Sequence, residues 1–101
     1  MDAQEDVAKF IEQHDLQCKP EYRILDLYSE MGELAKNACV STNYGTTPNS
    51  LDIKEDEFGD VLFSLLAVAN HLKIDADKAL EEALTKYESR IQDTDSPSSS
   101  S

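Results

Sequence analysis

Residues 57–69 of the chain read EFGDVLFSLLAVA, and this stretch decides the fold. After its acidic start it is apolar except for Ser64, and the apolar side chains lie on more than one side of a helix. A helix of this kind must be covered on several sides. Because Glu57 and Asp60 are three residues apart, their carboxylates point to the same side of the helix. The stretch therefore predicts a buried helix that carries two acidic side chains at its start.

A second acidic pair with the same spacing lies upstream, at Glu30 and Glu33. Four carboxylates that converge on one place repel one another and lose solvation, so they favour a bound cation. Oxygen ligands suit a hard divalent ion, and we expect Mg²⁺, with Mn²⁺ as the alternative. This pair interrupts an apolar stripe with helical spacing that we expect to face the core: Ile24, Leu27, Tyr28, Met31, Leu34 and Ala35.

A solvated helix face is the alternative interpretation of both pairs, because acidic residues are common on exposed helices and the chain has 21 of them. The apolar surroundings of the two pairs favour the shared metal site over that alternative.

The length and charge of the chain limit the classes of protein to which it can belong. Its 101 residues predict one domain at 1–92, followed by a disordered Ser-rich tail at 93–101. A net charge of -12 without a basic patch argues against binding to polymeric nucleic acid. The longest apolar run is far below the roughly 20 residues of a membrane helix. With no pattern typical of a signal peptide, we expect a cytoplasmic protein.

The periodicity predicts four helices and no strand, so the expected fold class is all-α. The predicted ranges are about 3–14, 20–39 and 52–72, and a fourth helix that follows Asp75 and ends near Gln92. Asp52 and Glu55 have the spacing of a capping box at the start of the third helix. Residues 41–50 are rich in turn formers and predict a loop. The fourth helix carries an apolar stripe of Leu80, Ala83, Leu84, Tyr87 and Ile91.

One small protomer has too few helices to cover the third helix on all sides. We therefore expect a helical-bundle homo-oligomer, either a homodimer or a homotetramer, with the second and third helices in its interface. By helical phase, Leu66 is the residue that we expect to face outward.

Several segments together resemble the MazG-like nucleotide pyrophosphohydrolases. They are LYSEMGELAK at 27–36, EDEFGDVLF at 55–63, Ala69-Asn70, and KYESR at 86–90, and the resemblance covers about 22–91. It implies an all-α enzyme that cleaves a nucleoside triphosphate to the monophosphate and pyrophosphate with Mg²⁺, as in house-cleaning of the nucleotide pool. Ser29 departs from the family, which often has a further acidic residue at that position.

The resemblance also implies roles for individual residues. Lys86 and Arg90 would contact the phosphates, and we expect Asn70 and Lys54 to contact the substrate as well. Glu33 is our candidate for the catalytic base, although the spacing does not choose among the four carboxylates. The metal would be held by Glu30, Glu33, Glu57 and Asp60.

Elementary electrostatics agrees with these implied roles. A triphosphate carries about four negative charges, so an acidic cluster binds it only through bridging cations. Lys86 and Arg90 lie four apart on one helix face, where two like charges gain from an anion between them. Solvated cations are the alternative interpretation of this basic pair.

Two other functions remain open at this point. One is a phosphoribosyl-ATP pyrophosphohydrolase-like enzyme, which uses a similar arrangement of acidic pairs on helices. The other is a non-catalytic acidic helical dimer that binds a partner. Release of pyrophosphate separates that binding protein from the enzymes.

Overall fold

A computed structural model of the chain describes residues 2–94, and within these residues it contains four α-helices and no strand. The predicted all-α class is confirmed. Of the predicted tail at 93–101, the first two positions belong to the last helix and the others lie outside the described residues. No helix in the described part is long and apolar enough to cross a membrane. The helices are α1 (Asp2–Gln13), α2 (Pro20–Ser41), α3 (Glu55–His71) and α4 (Ala76–Thr94), with a short 3-10 helix at Pro48–Ser50.

Two of the helix starts follow from the local sequence. Pro20 opens α2, where its missing N–H and fixed φ suit the first helical turn. Asp75 caps α4, because its Oδ1 accepts hydrogen bonds from the N–H groups of Asp77 at 3.0 Å and Lys78 at 3.2 Å. The predicted start of the fourth helix is therefore correct.

The predicted start of the third helix at Asp52 is wrong, since α3 begins at Glu55. The N–H of Asp52 instead donates to the Ser41 hydroxyl at 3.0 Å, which ties it to the end of α2. Lys54 occupies the N-cap position without a capping bond from its side chain. The capping-box spacing was misleading because Asp52 already serves the connection between the two helices.

A turn with its own hydrogen bonds connects α2 to the 3-10 helix. The N–H of Thr47 donates to the Thr42 carbonyl at 2.8 Å. Asn43, Tyr44 and Gly45 all have positive φ, which the chain needs in order to reverse within so few residues. The loop that the sequence predicted at 41–50 is thus a defined reversal, and it allows α2 and α3 to pack against each other along their lengths.

The small hydrophobic core lies where α1 packs on the middle of α3. Val7, Leu66 and Ala67 are buried, and the rings of Phe10 and Phe63 meet edge to face with centroids 5.9 Å apart beside them. Leu66 is only 3% exposed, so the expectation that it faces outward is wrong. The outward side of α3 carries Leu65 instead.

The apolar stripe predicted on α2 is only partly covered. Leu27 and Leu34 are half-buried. Ile24, Tyr28 and Met31, from the same stripe, are exposed in the protomer. The prediction that the whole stripe faces the core is therefore wrong for a single protomer, because among residues 2–94 α3 alone packs extensively on α2.

Gln4 on α1 binds the connection between α3 and α4, which we call the corner. Its side chain donates to the Ile74 carbonyl at 2.7 Å and accepts from the Ala76 N–H at 2.9 Å. Its backbone carbonyl accepts from the Asn70 side chain at 3.2 Å. Beyond this corner, α4 makes no extensive contact with α1, α2 or α3.

We expect Gln4→Ala to lower the free energy of unfolding by about 1–2 kcal/mol, because it removes one exposed and one partly buried hydrogen bond. Urea denaturation followed by circular dichroism measures the change. Gln13→Ala, the same substitution at the other end of α1, is the control and should stay within about 0.5 kcal/mol of the wild type. Equal losses in the two variants would contradict the assignment of the corner to Gln4.

Candidate functional site

The two acidic pairs meet because α2 and α3 run antiparallel. Ser41 at the end of α2 bonds to residue 52, and the Asn37 side chain donates to Glu57 Oε1 at 2.7 Å. Farther back along α2, Glu30 lies close enough to Asp60 to respond to its charge. Because the two helices are antiparallel, earlier residues of α2 lie opposite later residues of α3. Glu30 and Glu33 on α2 therefore face the first turns of α3.

The surroundings of Glu30 disfavour its negative charge. Partial burial is the largest cause that raises the pKa of its carboxyl group, and the negative charges of Glu33 and Asp60 come next. A hydrogen bond with Glu33 and the charge of Asp26 raise this pKa further. The Glu30 carboxylate therefore lies in a place where a positive charge would be strongly favoured.

The carboxylate of Glu57 has one satisfied and one unsatisfied oxygen. Oε1 accepts the bond from Asn37, whereas Oε2 is buried and has no hydrogen-bond donor in the part of the chain that the structure describes. A buried anionic oxygen without a donor is costly. A cation at this oxygen would remove the cost, and a hard divalent ion prefers such ligands. The donor chemistry of the cluster thus fits Mg²⁺.

The acidic side chains do not form a finished coordination shell. Among residues 2–94, no three or more Asp, Glu, His or Cys side chains are arranged so that they would hold a metal ion. Carboxylates without a cation between them repel, and exposed ones such as Glu33 and Asp60 rotate outward at little cost. The metal-binding role of Glu30, Glu33, Glu57 and Asp60 stays a prediction.

The basic pair predicted to contact phosphates lies on α4. Lys86 Nζ lies 5.4 Å from the centroid of the Tyr87 ring, and Arg90 Cζ lies 6.0 Å from it. α4 starts beside the C-terminal end of α3 and packs extensively on neither α2 nor α3. The contacts of Lys86 and Arg90 with the phosphates stay a prediction.

Asn70 and Lys54 lie at opposite ends of α3. Asn70 docks α1 through its bond to the Gln4 carbonyl. It follows Glu57 by 13 residues, which is about 20 Å along a helix. Lys54 is exposed and immediately precedes α3, at the same end as Glu57. Only Lys54 is placed near the acidic cluster of its own chain.

Two features of this region escaped the sequence analysis. Asn37 lies four residues after Glu33 and seven after Glu30, so helical spacing alone would have placed it on the same face. The second is an open cleft of about 420 Å³ between α1 and α3, beside Asp60. The other residues that line this cleft are Asp6, Val7, Phe10, Gly59 and Phe63. No spacing rule predicts the cleft, because it depends on how α1 docks.

Fold and site together define an all-α protein in which two antiparallel helices present paired carboxylates, the arrangement expected for a hard cation. The MazG nucleotide pyrophosphohydrolase domain matches residues 5–94, and the chain belongs to this family. The predicted resemblance is confirmed.

Two comparisons with Bacillus subtilis YpjD agree with this assignment. The sequence is 39% identical to that uncharacterised protein over 71 residues, which is 66% of this chain and 62% of the relative. The crystal structure of YpjD, described as a "putative pyrophosphatase", is similar with a TM-score of 0.70 and 34% identity. That similarity covers 88% of this chain and 92% of the YpjD chain.

We expect Glu30→Gln to raise the melting temperature of the metal-free protein at pH 7. The folded state raises the pKa of Glu30, so it binds the proton more tightly than the unfolded chain does. Stability from this group is present at low pH and is lost as the pH rises through the folded pKa. The difference between variant and wild type should therefore shrink as the pH falls through the folded pKa and vanish well below 4.5, the pKa of an ordinary Glu carboxyl, where both states are protonated.

Thermal melts in a chelator at several pH values measure this difference. Glu88→Gln, which removes the same charge from α4, is the control for the general repulsion of a chain with a net charge of -12. A pH-independent gain, or the same gain in both variants, would contradict the role of carboxylate crowding at Glu30.

Proposed function

We propose that this protein hydrolyses nucleoside triphosphates between the α and β phosphates and releases the monophosphate and pyrophosphate, with Mg²⁺ as cofactor. The observation that carries the proposal is the proximity of Glu30 and Glu33 on α2 to Asp60 on α3, together with the buried, unsatisfied Oε2 of Glu57. Membership in the MazG family supports the same reaction class.

The charge balance of the site explains why a metal is part of the proposal. A triphosphate carries about four negative charges, and the acidic cluster would repel it across a few ångströms. Mg²⁺, when bound, would neutralise phosphate oxygens and lower the pKa of a water molecule. The same ion would replace the repulsion that raises the pKa of Glu30 with attraction.

The residues of the cluster have separate roles in this proposal. Glu57 is oriented by Asn37, which leaves its free oxygen for the cation. Glu30 and Asp60 would complete the oxygen ligands. Glu33 is exposed and lies beside Glu30, so it would be the group that takes the proton from the attacking water.

The reaction balances without any further reactant. The water oxygen would form a bond to the α phosphorus, one of its protons would pass to Glu33, and the bond between the α phosphorus and the bridging oxygen would break. Pyrophosphate leaves with the electron pair of that bond and is later protonated. Lys54, at the same end of α3 as Glu57, would neutralise part of the charge of the phosphates.

The cleft beside Asp60 would take the nucleoside part of the substrate. It is lined by the apolar side chain of Val7 and the rings of Phe10 and Phe63, which suit the face of a base. Phe10 is 47% exposed, so its ring is accessible for stacking. The cleft thus lies next to the proposed ligand for the metal that would hold the phosphates.

We expect the purified protein with Mg²⁺ to release one pyrophosphate and one monophosphate from each triphosphate turned over. A panel of ribo-, deoxy- and base-modified triphosphates, analysed by ion-exchange chromatography, measures the products. Orthophosphate with a diphosphate as product, or no turnover across the panel, would contradict the proposal.

We expect a graded loss of activity when the cluster is altered one residue at a time. The isosteric substitutions that remove a carboxylate should abolish turnover and weaken Mg²⁺ binding. Asn37→Ala should reduce kcat/KM by about 10- to 100-fold, because Glu57 loses the partner that orients it. The four isosteric variants are Glu30→Gln, Glu33→Gln, Glu57→Gln and Asp60→Asn.

Asn49→Ala, on the exposed 3-10 helix, is the matched control for Asn37→Ala and should retain full activity. Circular dichroism and calorimetric Mg²⁺ titration accompany the rate measurements, so that loss of fold is separated from loss of the site. Wild-type rates in all four carboxylate variants would exclude a shared metal site.

A further inference from the structure

The cleft between α1 and α3 has a carboxylate on each of its walls. Asp6 lines it from α1, and Asp60, a proposed ligand of the metal, lines it from α3. The structure gives the Asp6 carboxylate no hydrogen-bond donor and no cationic partner among residues 2–94. The α1 wall therefore offers a hydrogen-bond acceptor that the protein itself does not use.

Phe10 forms a fixed aromatic surface in the same cleft. Its ring meets the Phe63 ring edge to face at 5.9 Å, and it lies 4.5 Å from the His14 ring with 47° between the two planes. The Phe10 side chain is nevertheless 47% exposed. A ring that its neighbours hold in place can stack on a planar ligand at little cost in conformational entropy.

Helical spacing places Asp6 at the edge of this aromatic surface. Asp6 and Phe10 are four residues apart on α1, so their side chains are neighbours on one side of the helix. Val7 is buried and closes the bottom of the cleft between α1 and α3. A base that stacks on Phe10 would therefore turn one of its edges toward the Asp6 carboxylate.

The position of the phosphates determines which edge of the base this would be. In the proposed function the phosphates lie at the metal, and the cleft reaches the metal at Asp60, on the α3 wall. The sugar of a nucleotide is attached on the side of the base that is remote from its Watson–Crick edge. With the sugar directed toward α3, the Watson–Crick edge would be directed toward α1 and Asp6.

An ionised carboxylate selects among the bases because it can only accept hydrogen bonds. The Watson–Crick edge of guanine presents two adjacent donors, N1–H and the 2-amino group, which match the two oxygens of a carboxylate as a guanidinium does. Adenine and cytosine present one amino group beside an acceptor nitrogen. Uracil and thymine present one N–H between two carbonyl oxygens. In these four bases an acceptor would face the second carboxylate oxygen and leave it unpaired.

We propose that Asp6 binds the Watson–Crick edge of the base and makes the protein selective for guanine nucleoside triphosphates. The inference rests on the proposed function for the position of the phosphates, and on the neighbours of Asp6 on α1 for the position of the base. A bidentate contact of this kind favours the correct base by a factor of about 10 to 100. We expect that preference in kcat/KM for GTP over UTP.

Removing one partner of the contact at a time tests this pairing. Inosine triphosphate keeps N1–H but lacks the 2-amino group, so the wild type should use it with a kcat/KM about tenfold below that for GTP. Asp6→Ala should lower kcat/KM for GTP and bring GTP and inosine triphosphate to similar values, because the difference between them depends on the carboxylate.

Glu5→Ala is the matched control for the loss of one negative charge from α1. Glu5 is exposed, adjoins Asp6 in sequence and is not part of the cleft lining. This variant should keep the wild-type ratio of GTP to inosine triphosphate. Equal kcat/KM for GTP and UTP in the wild type would overturn the proposal. So would a change by one common factor for all triphosphates in Asp6→Ala, which would place Asp6 at the phosphates or the metal.

Binding measurements keep this proposal separate from the proposed function. A wild type that turns over no triphosphate would refute the reaction, and base preference is then measured by calorimetry with Mg²⁺ and analogues that carry a methylene group between the α and β phosphates. The wild type should bind the guanosine analogue about 10- to 100-fold more tightly than the uridine analogue, and Asp6→Ala should lose this difference. Equal binding of the two analogues by the wild type, or binding of neither, would overturn the role of Asp6.

Discussion

The packing of α2 against α3 holds like charges together, and the rest of the molecule depends on that constraint. A hydrogen bond from Asn37 to Glu57 joins the two helices beside the acidic pairs. Here the acidic pairs fall side by side, and the pKa of Glu30 rises in response. The crowded carboxylates destabilise the folded protein, and a cation bound among them would offset that loss. Binding sites commonly lower the stability of the fold that carries them.

The sequence predicted the all-α class because helical periodicity is a local property. Residues three apart on a helix share a face whatever the helix packs against, so Glu30 and Glu33 could be placed together without any knowledge of the fold. The joining of all four carboxylates around a metal stays a prediction. The cap at Asp75 was predictable for the same reason, since its partners are the next residues in the chain. The start of α3 was not, because the N–H of Asp52 is taken by Ser41, eleven residues away in sequence.

Which apolar residues are covered could not be predicted from periodicity. A helical stripe shows that one side of a helix is apolar, but it does not show whether the cover is the same chain or another one. Leu66 was expected to face outward and is in the core, whereas Tyr28 was expected in the core and is exposed. The direction of α4 likewise depends on Gln4, a polar residue that no hydrophobic pattern marks.

The contacts of Gln4 have a consequence for how the chain folds as it is synthesised. Its hydrogen bonds join residue 4 to residues 70, 74 and 76. The docking of α1 therefore requires residues from the last third of the sequence. Contacts of such long sequence separation cost loop entropy before they contribute stability, and they tend to form late. Nascent α1 must therefore remain undocked on the ribosome until α3 and the start of α4 have emerged, and its apolar face is open to chaperones during that interval.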